Sequence, residues 1–485
     1  MVYDDRTSPQ LALTRGYRAN PLLRVCHPPT YPAERRYIYD VLLRDFLGLE
    51  YMAETEARHD VLLTVVGDPG KQLILPDVLF QTPEDRWLTL ASLPETPLDT
   101  WDAREDLRDA RLVSPKLPVV YGSRLPGGSF CEASSPGVTL GLDIFGSAFF
   151  TLTRYEEVVK PVRDVRERFP ATASLAYQEG FLDRPLVNEY LEVLWWALKR
   201  LWPGLRRRRQ SFQMRLSHDV DRPFCTENLR RTLRSVAGDV VKRRKLAVAR
   251  RRLGSFAAVR RRGLDADLCN TFDFIMDVSE EHGLVDTFNF MTGRSVSAID
   301  GNYSMADPFI RKLWRRIYSR GHEIGLHTSY DSFDKPAQIR DEFTRLLRVA
   351  ETEGTLQSNW GGRQHYLRWK APATWQAWDD AGIDYDSTLS FADNAGFRCG
   401  VCHEYRVFNL ETRTTLSLQE KPLVGMEVSV LGRDYMNLAP EEAEREILKL
   451  KNRCRLFDGE FTLLWHNNML VDERDRDLYR RVVAA

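Results

Sequence analysis

The second half of the chain alternates short apolar strands with amphipathic helices, and this rhythm constrains the fold more than any other feature. From residue 211 onward, helical patterns close at a glycine, as at Gly283 and Gly321, and a short apolar run such as DTFNFM or HEIGLH follows. Such alternation is typical of parallel strands covered by helices. We therefore expect an α/β fold in which residues 211–485 form a (β/α) barrel, because about 250 residues is the usual length of one.

The first half of the chain has a mixed pattern. Residues 1–205 contain helical and strand-like runs without a regular alternation, and they end in a strong amphipathic helix. Pro203, Gly204 and the arginine run after them break the pattern. We expect residues 1–205 to form a smaller mixed α/β domain, whose role the pattern does not indicate.

Composition limits the classes of partner and the cellular compartment that we expect for this protein. The 485 residues carry 69 basic and 69 acidic side chains, so the overall field favours neither nucleic acid nor an acidic surface. Seven cysteines are few for this length, which argues against a disulfide framework. The first residues are acidic and lack a long apolar run. We expect a cytoplasmic protein, with peripheral association with the inner membrane as an alternative.

The segment 229–263 interrupts the rhythm. It is strongly basic and contains a single acidic residue, Asp239. One interpretation is a solvated helical hairpin or a mobile insertion. The other is a docking element for an anionic membrane surface or a lipid-linked glycan carrier. Stacking aromatic residues are nearly absent from it, so nucleic acid is not expected as a partner.

The stretch SFQMRLSHDVDRP places two carboxylates at the end of an apparently buried strand. Side chains alternate along a strand, so Asp219 and Asp221 share one face. In parallel α/β folds the carboxyl ends of the strands carry the active site. Two buried carboxylates repel each other, and a cation beside them would relieve that conflict. An aspartate-rich turn is the alternative.

Two further segments supply metal-ligand and acid–base side chains. GHEIGLHTSYDS places His327 at the end of a second strand, with Asp331 four residues later. FTLLWHNN places His466 just after a third apolar strand. Imidazole and carboxylate ligands suit zinc, and also iron, cobalt or manganese. With Asp219, His466 can complete an acid–base pair.

Together these motifs resemble the polysaccharide deacetylase family (carbohydrate esterase family 4). The resemblance rests on SHDVD, HEIGLH, an Arg-and-Pro strand and LLWH, and it covers roughly residues 211–470. The stretches DIFGSAFFTLTRYEE, RQHYL and YDSTL resemble a bacterial subgroup of this family that carries an uncharacterised N-terminal domain. The resemblance implies a distorted (β/α) barrel.

The resemblance also implies roles for individual residues. Asp219 falls on the catalytic base, Asp221 and His327 on metal ligands, and His466 on the general acid. The family orients its base with an arginine near a proline, and LRWKAP offers Arg368 for this role, with Lys370 as the competing choice.

One position departs from the family pattern. Asp331 stands where the family has a second histidine ligand, so the expected ligand set is Asp221, His327 and Asp331. The expected cofactor is a divalent metal, zinc in the first place, with manganese or cobalt as alternatives. Asp386 and Ser387 in YDSTL are expected to contact substrate, or else to cap a turn. Arg363, His365 and Glu427 are further candidates for supporting roles.

The expected function is metal-dependent removal of an N-acetyl group from an amino sugar. The substrate would be an intracellular intermediate of surface-polysaccharide synthesis. One alternative is a barrel that binds a glycan or a partner protein and has a degenerate metal site. The aspartate at position 331, where the family has a histidine, is the reason to keep this alternative. A second alternative is hydrolysis of an amide that is not part of a sugar.

Overall fold

The structure is a computed structural model, and it describes residues 20–225, 229–241, 246–295 and 299–485. Two large sheets divide the described chain, one before and one after residue 205. None of the described helices is long and apolar enough to cross a membrane.

The N-terminal region is built on a six-stranded mixed sheet and a separate pair of strands. Its strands are β1 Leu23–His27, β2 Tyr51–Thr55, β3 Asp60–Val65, β4 Asp68–Pro76, β5 Asp99–Asp102, β6 Lys116–Val119, β7 Cys131–Ala133 and β8 Gly137–Leu140. The large sheet has the order β2-β1-β3-β4-β8-β7, while β5 and β6 pair with each other. Its helices are α1 Pro32–Tyr39, α2 Ile144–Leu152, α3 Tyr155–Val159, α4 Leu175–Gln178 and α5 Leu186–Leu201.

The C-terminal region is built on a nine-stranded sheet. Its strands are β9 Gln213–Val220, β10 Asp286–Met291, β11 Glu323–Thr328, β12 Gly361–Gln364, β13 Tyr385–Asp386, β14 Tyr405–Asn409, β15 Thr414–Glu420, β16 Gly425–Met426 and β17 Glu460–Leu464. The order is β14-β15-β13-β12-β11-β10-β9-β17-β16. Neighbouring strands are parallel except for β14, which runs antiparallel to β15.

Helices accompany this sheet along most of its length. They are α6 Leu229–Val241, α7 Leu246–Arg262, α8 Phe272–Glu281, α9 Pro308–Ser319, α10 Pro336–Thr352, α11 Ala373–Asp380, α12 Glu427–Leu431, α13 Pro440–Leu456 and α14 Glu473–Ala484. The expected α/β alternation is therefore confirmed for this region. Within the described chain the sheet curls into a half-barrel, and its end strands β14 and β16 do not pair with each other.

The sequence pattern predicts a strand over HYLRWKAP, residues 365–372, and this prediction is wrong. The strand at this point is β12, which ends at Gln364, and residues 365–367 form a short 3-10 turn instead. Tyr366 and Leu367 both have positive φ angles of 60° and 55°, so the chain turns sharply where the sequence pattern indicated an extended run. This shift changes which side chains reach the sheet interior.

The two regions pack against each other through a continuous buried core. Residues from both contribute to a single apolar cluster. The ring of Tyr37 on α1, for example, lies 5.0 Å from that of Phe408 on β14. Buried Glu157 on α3 accepts hydrogen bonds from Arg398 in the C-terminal region, at 2.6 and 2.9 Å. Burial raises the pKa of Glu157, but Arg398 and Arg154 outweigh it and lower the pKa.

Candidate active site

The carboxyl ends of four strands meet at one edge of the nine-stranded sheet. Asp221 follows β9, His327 lies in β11, His365 follows β12 and His466 follows β17. In the sheet, β12 is three strands from β9. In a flat sheet these strands would be about 14 Å apart. The curl of the sheet therefore brings their side chains together.

Asp221, His327 and His365 form a compact group of three metal-ligand side chains. The Oδ1 atom of Asp221 lies 3.2 Å from Nε2 of His327 and 3.6 Å from Nε2 of His365. Each residue offers one donor atom, and the three donor atoms lie within 4.8 Å of one another. Two imidazoles and one carboxylate are a ligand set suited to zinc, iron, cobalt or manganese.

Hydrogen bonds orient both imidazoles toward this group. The Nδ1 atom of His327 lies 2.9 Å from the carbonyl oxygen of Arg363, and Nδ1 of His365 lies 2.9 Å from the Asp300 carboxylate. Each Nδ1 therefore donates away from the centre, and each Nε2 faces it. Imidazoles that bind metals are commonly held in this way, with the second nitrogen donating to a carbonyl or carboxylate oxygen.

The residues present fit a bound cation. Nε2 of His327 and Oδ1 of Asp221 are buried and have no hydrogen-bond partner among the described residues. Buried polar atoms without partners are rare in proteins and call for a ligand or an ion. Two ligand atoms of a tetrahedral site with bonds of about 2.0 Å lie about 3.3 Å apart. The observed 3.2 and 3.6 Å bracket this separation.

Asp219 lies beside this group, and its neighbours hold it in the ionised form. Its Oδ1 accepts hydrogen bonds from Nη1 of Arg363 at 2.9 Å and from Nδ2 of Asn289 at 2.8 Å. Gly325 makes room for the amide, since a Cβ there would lie 2.1 Å from Oδ1 of Asn289. Oδ2 of Asp219 is left facing the group, 3.8 Å from Nε2 of His327. Burial raises the pKa of Asp219, but the nearby cationic side chains, Arg363 foremost, outweigh it and lower the pKa.

Arg363 is itself fixed in place. Its guanidinium is buried and donates to the carbonyl oxygen of Ser387 at 2.8 Å, to Oγ of Ser387 at 3.1 Å and to Oγ of Ser217 at 3.0 Å. With the bond to Asp219, four hydrogen bonds hold this cation across the interior of the curled sheet. Asp219 consequently keeps one fixed orientation.

His466 also lies against the group and is backed by a buried carboxylate. Its Nδ1 lies 2.7 Å from Oε1 of Glu427, which also accepts from the His466 backbone N–H at 3.1 Å. Its Nε2 lies 3.7 Å from Oδ2 of Asp221. Burial lowers the pKa of His466, but Glu427 and the two aspartates outweigh it and raise the pKa to about 10. An imidazolium that points into the site can donate a proton.

The same balance applies to His365 and Asp221. Burial opposes the charged form of each, yet their mutual attraction raises the pKa of His365 to about 9 and holds that of Asp221 well below its usual range. A bound cation would replace the proton on His365, because metal ligands bind in their deprotonated form.

Two predicted roles do not match the positions of the side chains. Asp331 lies outside the three-residue group: its carboxylate is one-third exposed and lies 3.4 Å from Nη1 of Arg368. A turn after β11, in which Ser332 N–H donates to the Ser329 carbonyl oxygen, separates Asp331 from His327. His365, and not Asp331, completes the three-residue group.

Arg368 does not contact Asp219. Its guanidinium donates to the carbonyl oxygens of Tyr330 at 2.6 Å and Arg166 at 3.0 Å, and it pairs with Glu167. The turn at residues 365–367 directs Arg368 toward the N-terminal region, and Arg363 takes the position beside Asp219.

Asp386 and Ser387 lie behind the site. Both are buried, and neither is among the residues that line its cavity. Asp386 accepts from the backbone N–H of Thr388 at 2.9 Å, as a turn cap does. Burial raises its pKa to about 7. Ser387 accepts hydrogen bonds from Arg363, so it affects the site only by positioning that arginine.

The sequence indicates Arg363, His365 and Glu427 only as supporting candidates, and it does not indicate Asp300. The apolar pattern predicts the strand four residues too late, at residues 365–372, and therefore gives Arg363 and His365 no leading role. Asp300 lies in a loop without strand rhythm, 65 residues from the histidine it holds. No pattern in the sequence connects the two.

The site opens into a cavity of about 240 Å³ to which both regions contribute. Its wall includes Arg168 from the N-terminal region together with Arg222, Tyr366 and Tyr435. Arg168 donates to the Tyr366 carbonyl oxygen at 3.0 Å, and Arg166 lies over the Tyr366 ring at 4.3 Å. The N-terminal region thus supports the turn that carries His365. Larger cavities of about 420 and 830 Å³ lie along linker residues 205–210 and contain none of the site residues.

Comparison with known proteins adds little to this geometry. Residues 23–203 match a family described as a family of unknown function (DUF7033). No curated protein matches the chain. Solved structures that resemble it include a putative polysaccharide deacetylase from Mycobacterium smegmatis, with 17% identity, a TM-score of 0.35, and coverage of 57% of this chain and 83% of that chain.

Two other solved structures give similar values. PuuE allantoinase has 12% identity and a TM-score of 0.33, with coverage of 58% of this chain and 85% of that chain. A probable polysaccharide deacetylase from Pseudomonas aeruginosa PAO1 has 13% identity and a TM-score of 0.32, with coverage of 64% and 90%. At such TM-scores the likeness supports no functional conclusion. Any conclusion about function therefore depends on the geometry of the site.

Proposed function

We propose that this protein is a metal-dependent amide hydrolase that removes the N-acetyl group from an amino sugar. The observation that carries the proposal is the arrangement around one point. Two residues lie against the two-histidine, one-aspartate group: Oδ2 of the arginine-held Asp219 is 3.8 Å from Nε2 of His327, and Nε2 of the glutamate-backed His466 is 3.7 Å from Oδ2 of Asp221. A ligand group with a base and an acid beside it suits hydrolysis of an acyl bond.

Asp221, His327 and His365 would hold the cation. When bound, a divalent ion supplies Lewis acidity, which polarises an acyl carbonyl and makes a neighbouring water molecule more acidic. Zinc is the first choice for this ligand set, with manganese or cobalt as alternatives.

Asp219 acts as the base. Its Oδ2 accepts a proton from the attacking water while Arg363 and Asn289 hold Oδ1. The water oxygen then forms a bond to the acetyl carbon. Because four hydrogen bonds fix Arg363, the carboxylate does not have to reorient during this transfer.

His466 acts as the acid. Its Nδ1–H is engaged by Glu427, so the proton on Nε2 is the one that faces the site. That proton passes to the amine nitrogen as the carbon–nitrogen bond breaks, which gives acetate and the free amino sugar. Glu427 stabilises the charged imidazolium before the transfer.

The alternative of a binding protein with a degenerate metal site depended on the aspartate at position 331. In our proposal His365 supplies the third ligand, so position 331 gives no reason to prefer that alternative, and metal content separates the two. Hydrolysis of an amide that is not part of a sugar requires the same residues, and only a substrate comparison separates it from the proposal.

The basic hairpin, α6 and α7, is proposed as the docking element for an anionic membrane surface. Residues 229–263 carry thirteen lysines and arginines and one acidic residue. Leu233 and Val240 on α6, and Leu246 and Leu253 on α7, are exposed by 39% to 69%. Each pair is spaced by seven residues and so lies on one helix face. Exposed apolar side chains beside arginine clusters are typical of helices that lie on anionic lipid.

The experiment that tests the proposed reaction is a substrate panel. Purified protein reconstituted with zinc, manganese or cobalt is incubated with N-acetylated monosaccharides, nucleotide-linked and lipid-linked N-acetylated sugars, and simple N-acetyl amides. Released acetate and free amine are measured, with Asp219→Asn as the control. Release from a sugar that the control abolishes supports the proposal. Release only from amides outside the sugar class, or none with any metal, contradicts it.

A further inference from the structure

A second group of metal-ligand side chains lies at the base of the hairpin. Cys225 precedes α6, while Asp267 and Cys269 follow α7, so the group joins the two ends of the insertion. Each residue offers one donor atom, and these three atoms lie within 4.8 Å of one another. The group shares no residue with the Asp221 group.

The Asp267 carboxylate holds the two cysteines in place. Its Oδ1 accepts hydrogen bonds from the backbone N–H of Cys225 at 2.9 Å and of Cys269 at 2.8 Å. The Cys225 thiol also donates to this oxygen, with Sγ at 3.3 Å. In a tetrahedral zinc site with bonds of about 2.3 Å to sulfur and 2.0 Å to oxygen, the two ligand atoms lie about 3.5 Å apart. The spacing of Cys225 and Asp267 is close to this value.

We propose that Cys225, Asp267 and Cys269 bind a second divalent cation of the zinc class. Two thiolates select a soft or borderline ion, and one carboxylate completes a three-ligand set. Cys269 and Asp267 are buried, at 3% and 5% exposure, whereas Cys225 is partly exposed. The exposed side leaves the fourth position to water and gives the ion a path of entry.

A Cys225–Cys269 disulfide is the rival use of the same thiols. It would not need a carboxylate directed at a sulfur atom. Hydrogen bonds from both cysteine backbones hold the Asp267 oxygen within 4.8 Å of both sulfur atoms, and a carboxylate beside two thiols is a donor set that a cation uses and a disulfide does not. All seven cysteines of the chain are free thiols in the structure.

The second site would brace the catalytic strand ends. Asn467, next to His466, donates from Nδ2 to the carbonyl oxygen of Cys269 at 2.7 Å and to that of Arg222 at 3.0 Å. Arg222 is next to Asp221. An ion at Cys269 therefore stabilises the backbone from which His466 and Asp221 project, and its role is structural.

The test uses the full-length protein stripped of metal and titrated with cobalt(II) under reducing conditions. Cobalt bound to thiolate gives a near-ultraviolet charge-transfer band, which cobalt bound to imidazole and carboxylate lacks. The wild type is expected to give the band with the intensity of one thiolate-bound cobalt per chain, and a His327→Ala/His365→Ala variant is expected to give the same intensity and to saturate at one cobalt per chain. The Cys225→Ser/Cys269→Ser variant is expected to lose it, and Cys131→Ser, which removes a buried thiol outside this group, is expected to keep it.

A band that persists in Cys225→Ser/Cys269→Ser would overturn the inference, and so would the absence of the band in the wild type. Recovery of Cys225 and Cys269 as a disulfide from protein prepared under reducing conditions would overturn it too. If the double variant does not fold, Cys225→Ser alone serves, because this residue is only partly buried. Asp267→Asn is expected to weaken cobalt binding at least about 10-fold. None of these results depends on the proposed hydrolase activity.

Discussion

Arg363 on β12 donates a 2.9 Å hydrogen bond to Asp219 on β9, across two intervening strands of the curled sheet. Both side chains are buried. The pair couples the curvature of the sheet to the chemistry of the site, because only a curled sheet lets this arginine reach that carboxylate. It also leaves one oxygen of Asp219 free to accept a proton.

Asp219→Asn is expected to keep the metal and lose turnover by a factor of about 10² or more. The amide can still accept a hydrogen bond from Arg363, so the site keeps its shape, but it cannot take a proton from water. Metal content and acetate release measure the two effects separately. Near-normal turnover in this variant would show that Asp219 is not the base.

Arg363→Lys is expected to lower both the free energy of unfolding and the turnover. A lysine cannot make the four hydrogen bonds of the guanidinium, so the buried ion pair with Asp219 is loosened. Removing one partner of such a pair outright costs about 3–5 kcal/mol, and this is the upper bound for the loss of unfolding free energy. We expect the turnover of this variant to fall about 100-fold.

Arg368→Lys is the matched control, because Arg368 is also buried but contacts Tyr330, Arg166 and Glu167 instead of Asp219. Its turnover should fall by less than about 10-fold. Denaturant unfolding and steady-state rates measure both variants. A larger loss of turnover in Arg368→Lys than in Arg363→Lys would restore the assignment made from sequence.

Substitutions of His466 and Glu427 are expected to affect poor leaving groups most. An amine must be protonated as it departs, whereas an activated aryl ester releases a phenolate without help. His466→Ala and Glu427→Gln should therefore slow hydrolysis of an N-acetyl amide by about 10² or more and that of an aryl acetate much less. The ratio of the two rates in each variant is the readout. Equal losses on both substrates would indicate a structural role for His466.

Reversing two charges on the hairpin is expected to weaken binding to anionic lipid. Each basic residue near such a surface contributes about 1 kcal/mol, so Arg250→Glu/Arg251→Glu should bind phosphatidylglycerol vesicles at least about 10-fold more weakly than the wild type. Arg104→Glu/Arg108→Glu, the same charge change on exposed residues of the N-terminal region, is the control. Vesicle co-sedimentation measures both. Unchanged binding in the hairpin variant, or equal binding of the wild type to neutral vesicles, would argue against membrane docking.

The sequence was informative where a strand had a clear period. The alternation in QMRLSHDV predicted β9 and placed Asp219 and Asp221 on one face, and both carboxylates do lie at the same site. His327 and His466 were predicted in the same way, since each follows or ends a short apolar strand.

His365, the third member of the group, could not be predicted in this way because β12 has no apolar alternation. Its sequence is GGRQ, and all four residues are buried. Gly361 is required by packing, since a Cβ there would lie 2.4 Å from the ring of Tyr385. A hydrophobic pattern cannot identify a buried strand that is made of glycine, arginine and glutamine. The apolar residues of HYLRW predict a strand at the wrong place, and that prediction favours Arg368 over Arg363.

Metal content tests the central claim most directly. In a Cys225→Ser/Cys269→Ser background, which removes the proposed second site, reconstituted protein is predicted to hold one divalent ion per chain. His365→Ala in that background should lose the ion, and Asp331→Ala should keep it. Loss of the ion in Asp331→Ala with retention in His365→Ala, or no bound ion after reconstitution with zinc, manganese and cobalt, would contradict the account.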